Sequence, residues 1–301
     1  MPINNSTLPS REEFLRRKRK QRIRKYVIFF FSIVILIAFV SYISHRPEIR
    51  VTKVQLKGGV LVTEEDILKK STEYMSGSYF WLFPKNTSIW YPKDKLKEYL
   101  KQNFKRIDNI EVGLDGFRTL VVTIEERKPF AIWCDSTPNK TKNEISKIST
   151  TTDNVDEVSV ISEQTCYFID QNSTIFSEAP YFSGDAYFKY YGEIGTTSPV
   201  GSFYISSSTE FEEITDFIST IKNFSLHPRY LVSKGGGDYT LVISGGGEIY
   251  FDMKKPLKET AKNLESLLRT PSLSTSTNSD LPIQYIDLRY GNKLFYKLKT
   301  E

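Results

Sequence analysis

Residues 119–133 read TLVVTIEERKPFAIW, and a change of pattern inside this stretch divides the chain into two folding units. Through Glu126 apolar and polar residues alternate, placing Leu120, Val122 and Ile124 on one face with the period of a half-buried strand. The charges at Glu125, Glu126, Arg127 and Lys128 interrupt the run, Pro129 ends it, and PFAIWC begins a new strand. Before the break, helices mix with strands. Beyond it, strands dominate.

Upstream, Ile110–Leu114 supplies a second strand, joined to the first through Asp115-Gly116, a hairpin pair. Before it, Pro92 stands at the first turn of a helix in which Leu96, Leu100 and Phe104 recur every four residues. An earlier helix starts at Thr63, whose hydroxyl suits an N-cap. Glu64, Glu65 and Asp66 suit the positive end of its dipole, and Val62 is placed to staple onto Ile67. Residues 49–57 (IRVTKVQLK) have strand character and end at Gly58-Gly59. The order β-α-α-β-β over residues 46–127 predicts a compact α+β domain. Its two helices are separated by an aromatic stretch, SGSYFWLFPKNTSIW, at residues 76–90. Core packing is the expected use of Tyr79–Phe83, with contact to a partner or a membrane surface as the other reading.

Downstream, PFAIWC and CYFID (Cys166–Asp170) flank residues 135–165, a stretch of 31 residues rich in Ser, Thr, Asn and Lys that is expected to be a mobile inserted loop. Cys134 and Cys166 sit at strand edges of one expected hairpin and read either as a structural disulfide or as two buried thiols. A helix from Thr209 to Phe224 carries Phe211, Ile214, Ile218 and Ile221 on one stripe; a second, starting at Pro256, carries Leu257, Ala261, Leu264 and Leu268. Between them lie strands Tyr239–Ser244 and Glu248–Met253. The triple glycines at 235–237 and 245–247 fit no phosphate-binding pattern and read as turns. The last two strand segments are Ile283–Tyr290 and Leu294–Lys299. In the first, Ile286, Leu288 and Tyr290 are expected on one face and Tyr285, Asp287 and Arg289 on the other. A terminal strand of this kind is either an ordinary closing strand or an edge that accepts a strand from a partner. Residues 128–301 therefore predict a strand-rich domain with two packed helices.

Outward in the other direction lies a membrane anchor. Tyr26–Ser44 (YVIFFFSIVILIAFVSYIS) is 19 residues without a charge. As a helix it would be about 28 Å long, enough for a hydrocarbon core of ~30 Å, with Tyr26 and Tyr42 at the two interfaces. It is longer than a signal-peptide core, and Ala38-Phe39-Val40 is a poor cleavage site. Residues 1–25 form a basic tail with nine Lys/Arg and two acids, whereas residues 45–57 hold four basic residues. This asymmetry places the N-terminus in the cytoplasm and the domains outside. The net charge of +5 belongs to the tail, because the other 276 residues carry 32 basic and 34 acidic side chains. Such a balance disfavours nucleic acid as a partner. Ser10-Arg11-Glu12-Glu13 has the form of a capping box, so the tail is expected to turn helical before the membrane.

Two histidines and two cysteines leave little for metal or His-based chemistry, and neither HExxH nor GxSxG occurs. No enzyme, cofactor, metal or small-molecule substrate is expected.

The arrangement of basic tail, single span, β-α-α-β-β unit and strand-rich domain resembles the FtsQ/DivIB family of bacterial cell-division proteins. TLVVTIEERKPFAIW resembles that family's junction between its POTRA domain and its β domain. CYFIDQNSTIF (Cys166–Phe176) is similar to the next strand-turn-strand of the family, and YIDLRYGNKLFYK (Tyr285–Lys297) to its final strands. The insert after Cys134, the aromatic excursion at Tyr79–Tyr91 and the stretch 177–208 depart from the pattern. The resemblance implies a non-enzymatic divisome scaffold in the bacterial inner membrane at the septum, one that recruits FtsB/FtsL-like bitopic proteins and helps control septal peptidoglycan synthesis. It implies that a partner strand is added beside the last strand. The contacts would lie around Tyr285, Arg289, Tyr290, Asn292 and Lys293, with Leu294, Phe295 and Tyr296 as the pairing edge. A bitopic envelope or secretion adaptor that handles exported proteins is the alternative reading.

Overall fold

The computed structural model describes residues 11–135, 165–182, 185–224, 226–270, 283–291 and 293–299. The expected loop at 135–165 (all but its end residues), Ser10 of the expected capping box, and Asn292 lie outside them.

Arg11–Ser44 forms one continuous helix, α1, so the basic tail and the apolar run share a single rod. Its segment Lys18–Ser44 is long and apolar enough to cross a membrane. Phe29, Phe30, Ile35, Leu36 and Phe39 all project outward from it. A helix apolar on every side, and little buried among the described residues, is compatible with a lipid-like solvent.

The chain divides into two compact units, the first ending at Glu126 and the second beginning at Arg127. In the first, strand β1 (Lys53–Lys57) runs parallel to β5 (Thr119–Glu126), which pairs antiparallel with β4 (Ile107–Asp115), giving the order β1-β5-β4. Helices α2 (Glu64–Met75) and α3 (Lys93–Asn103) supply the rest of the core. Ile67, Leu96, Leu100, Leu120, Val122 and Ile124 are buried together, with Phe104 packed against them. Each fully buried Leu or Ile contributes about 1.5–3 kcal/mol before the entropy of ordering is subtracted. Thr63 caps α2 by accepting a hydrogen bond from the Asp66 amide at 3.2 Å. Tyr74 of α2 stacks on Tyr99 of α3 with ring centres 4.6 Å apart. Gly58 is required: with φ at +85°, an added Cβ would lie 2.3 Å from the carbonyl oxygen of Ile124.

The aromatic stretch forms a small hairpin of β2 (Ser78–Tyr79) and β3 (Phe83–Pro84). Here the structure overturns the core-packing expectation. Phe80 and Trp81 are 88% and 93% exposed, and Leu82, Ile89 and Trp90 are exposed too.

The second unit is built on a nine-stranded sheet. Its strands are β6 (Ala131–Cys134), β7 (Cys166–Ile169), β8 (Ile175–Ala179), β9 (Lys189–Tyr191) and β10 (Pro228–Gly235). They continue with β11 (Asp238–Ile243), β12 (Glu248–Asp252), β13 (Ile283–Asp287) and β14 (Phe295–Leu298). The order across the sheet is β14-β13-β12-β11-β10-β9-β6-β7-β8. Helices α4 (Ser208–Asn223) and α5 (Leu257–Leu268) bury Phe211, Ile214, Phe217, Leu257, Ala261 and Leu264 on a common core. Their placement on one face is a consequence of connectivity. α4 links the parallel neighbours β9 and β10, and α5 links the parallel neighbours β12 and β13. Strands β10 and β12 point the same way, each being antiparallel to β11 between them. Two crossovers of the same hand, stepping in the same direction from strands of the same polarity, must fall on the same side.

β6 and β7 pair in register from Ala131↔Ile169 to Cys134↔Cys166, and the two cysteines form a disulfide. At the other end of this hairpin the Arg127 guanidinium and the Asp170 carboxylate form a buried ion pair. Asp170 Oδ1 also accepts the amides of Asn172 at 2.9 Å and Thr174 at 2.8 Å, which shapes the turn into β8. Both triple glycines lie at turns: 235–237 joins β10 to β11, and 245–247 belongs to the short turn Ser244–Gly246 and the residue that leads from it into β12.

A candidate partner-binding edge

A sheet this wide exposes two edges, and the chain treats them differently. At the β8 edge, Gly201 donates to the Ile175 carbonyl, the Ile175 amide donates to Ser202, and Thr174 bridges to Phe203. The chain thereby covers part of that edge with its own backbone. At the opposite edge, β14 pairs only with β13, and among the described residues nothing lies on its outer side. An uncovered strand presents a row of free amide and carbonyl groups, to which a further strand can be added.

The register assigns the side chains to faces. Asp287 faces Phe295 and Tyr285 faces Lys297 on the helix-free side; Ile286 faces Tyr296 on the side that carries the helices. Leu294 and Leu298 pack against the main core, while Phe295, Tyr296 and Lys297 are exposed. Tyr290 corrects the sequence expectation. Strand β13 ends at Asp287, so Tyr290 falls in the next turn instead of continuing the alternation, and its ring meets Phe295 edge-on at 5.3 Å. Tyr290 and Phe295 remain 59% and 50% exposed. With Tyr285, Asp287, Lys255 and Lys293 they line a shallow open groove beside the edge.

Arg289 is engaged inside the chain. Its Nε and guanidinium donate to both oxygens of Asp287, at 2.9 and 2.6 Å, and its amide donates to Oδ1 at 3.1 Å. Burial alone would raise the Asp287 carboxyl, but these bonds outweigh it and hold the group below the usual carboxylate range. The Arg289 guanidinium also lies 5.4 Å from the centre of the Tyr250 ring. Tyr250 donates to Glu248, and burial together with that carboxylate pushes its hydroxyl up to about 12. Asp287 is neutralised by Arg289, and Lys255, Lys293 and Lys297 are exposed around it.

Of the residues singled out in the sequence, Tyr285, Tyr290, Lys293 and Phe295 gather at this groove, Leu294 and Tyr296 lie on the same edge, and Arg289 braces it from the turn. Cys134 and Cys166 belong elsewhere: β6 is six strand positions from β14, about 29 Å at ~4.8 Å per strand. Sequence reasoning misses Lys255, because only the β12–α5 turn brings it near the last hairpin. One Ser-x-x-Lys spacing does occur, Ser219 with Lys222, but both side chains are exposed on α4. Searched against protein-family models the chain gives no match, and no curated protein matches it.

Proposed function

We propose that the chain is a membrane-anchored, non-enzymatic scaffold of bacterial cell division of the FtsQ/DivIB type, which captures FtsB/FtsL-like bitopic partners by adding one of their strands beside β14. The open outer edge of β14 carries this reading, since the opposite edge of the same sheet is partly covered by its own chain. Backbone pairing would supply affinity. The groove would supply specificity: its aromatic rings suit apolar side chains, and Lys255, Lys293 and Lys297 suit acidic ones. In the first unit, the order β1-β5-β4 with two helices between β1 and β4 supports a POTRA-like domain. The apolar α1 supports a single-pass anchor with the basic tail in the cytoplasm. The disulfide supports an oxidising, extracytoplasmic position for the second unit.

The experiment is a pull-down of the full-length chain in detergent against small bitopic coiled-coil proteins of the host membrane. Capture of an FtsB/FtsL-like pair, lost on deleting residues 283–301 from a chain that keeps its fold, is the expected result. Capture of secretion components in their place would favour the adaptor reading and overturn this one.

A further inference from the structure

The exposed aromatic hairpin is fastened to the membrane-proximal end of α1. Ser41 Oγ donates to the Leu82 carbonyl at 2.8 Å. The stretch just beyond the helix continues the attachment: the Val51 amide donates to Asn86 at 2.8 Å, the Ser88 amide donates to Ile49 at 2.9 Å, and Arg50 bridges to Thr87. Ser41 is three residues before the end of α1, or ~4.5 Å along the helix axis. The hairpin backbone therefore lies level with the last turn of the apolar run, the depth at which a spanning helix meets the headgroups.

The turn itself is unusual. The Leu82 amide donates to Tyr79 at 3.0 Å, closing a tight turn whose central residues, Phe80 and Trp81, have φ of +48° and +61°. That backbone favours Asn or Gly, and bulky aromatics there are strained. Among the described residues nothing in the unit repays the strain through burial, because these two rings are the most exposed of the stretch. Below them Phe83 and Trp90 lie 5.9 Å apart, and Lys85 sits 5.6 Å from the Tyr79 ring. On the helix side Arg46 bonds the Tyr42 hydroxyl at 2.7 Å. Indole and phenyl rings with cations behind them match the chemistry of a phospholipid headgroup layer.

We propose that the Phe80–Trp81 tip is a second membrane contact, seated in the interface of the bilayer that α1 crosses and holding the first unit against it. This rests on α1 being inserted and not on any role in division. Full-length chain is reconstituted into phosphatidylcholine–phosphatidylglycerol vesicles, and resistance to alkaline extraction establishes separately that α1 is in the bilayer. Tryptophan emission is then compared between the wild-type chain and Trp81→Phe, so that the difference isolates Trp81 from Trp90 and Trp133. The expected difference signal is quenched by lipid brominated near the headgroup and shielded from aqueous acrylamide. A signal open to acrylamide and indifferent to brominated lipid overturns the proposal, as does one shielded from both, which would mean a protein covers the tip. A paired variant, Phe80→Asn with Trp81→Gly, suits the turn and is expected to keep or raise the thermal midpoint in detergent. A lowered midpoint would mean that the rings pack within the fold, and would also overturn it.

Discussion

At the scale of single residues, Glu126 shows how a side chain at a unit boundary fixes a loop far away in sequence. Its Oε1 accepts the amides of Val60, Leu61 and Val62 at 2.7, 2.8 and 2.9 Å. Partial burial alone would raise its pKa, but the three amides outweigh it and hold the carboxyl below the ordinary value. A depressed folded pKa gives stability that is complete above the unfolded value of ~4.3 and is lost as pH falls through the lower folded value. Glu126→Gln keeps an acceptor but loses the charge, and is expected to cost about 1–2 kcal/mol locally. Hydrogen exchange at Val60–Val62 should accelerate roughly 5- to 30-fold, since ~1.4 kcal/mol is a factor of ten, and should lose its acid dependence below pH ~4. Unchanged exchange would mean that the loop holds without the carboxylate. Asp287 obeys the same rule: Asp287→Asn breaks the fork with Arg289 and should loosen the Tyr290 turn by about 1–2 kcal/mol, read as faster exchange of the Arg289 amide.

At the scale of elements, regular periodicity is legible in the sequence and long-range pairing is not. The stripes in α2 to α5 and the alternation in β5 arise from local chemistry, so their positions can be read to within a few residues. Strand β10 escapes such a reading, though it lies inside the sheet between β9 and β11. Its PRYLVSKG has only two consecutive aliphatic residues and a proline at its start, and its partners secure it where its own pattern does not. Tyr79–Phe83 reads as core in sequence because apolar content alone cannot distinguish a buried run from an exposed one. At the open β14 edge, the residues of 285–296 are legible as a group, whereas the turn at Tyr290 and the approach of Lys255 depend on the fold. The edge yields a sharp test. Neighbouring residues in a strand direct their amides to opposite sides, so of Phe295→Pro and Tyr296→Pro one removes a donor to β13 and the other an outward donor. The variant that keeps the β13 pairing should still abolish capture of a partner strand, measured by pull-down beside amide exchange in β13. Capture retained by both folded variants would remove β14 from the interface. The disulfide is a second test at this scale: it closes a sequence separation of 32 residues, for which chain entropy gives about 3–4 kcal/mol. Changing both cysteines to serine should lower the denaturation midpoint accordingly, and leave partner capture intact because β6 and β7 are remote from β14.

At the scale of the whole molecule, charge, membrane and disulfide are linked through orientation. Nine basic residues precede the apolar run against four in residues 45–57, and in the proposed orientation this excess would hold the tail in the cytoplasm. The two units would then fold in an oxidising compartment, where the paired Cys134 and Cys166 are stable. Weakening the charge bias should therefore alter the redox state of a hairpin more than a hundred residues away. With Arg16, Arg17, Lys18, Arg19, Lys20 and Arg22 replaced by Gln and four lysines introduced across residues 45–52, the bias reverses, and a fraction of molecules should insert with the units in the cytoplasm. Two measurements on one preparation read the result. External protease, which degrades the units in the wild-type orientation, should spare the inverted fraction. Alkylation of free thiols should label Cys134 and Cys166 in that protected fraction alone. Protection without labelling would mean that the disulfide forms whatever the compartment. Full digestion of the variant would mean that the basic tail does not set the orientation, and that the folded units control how the chain inserts.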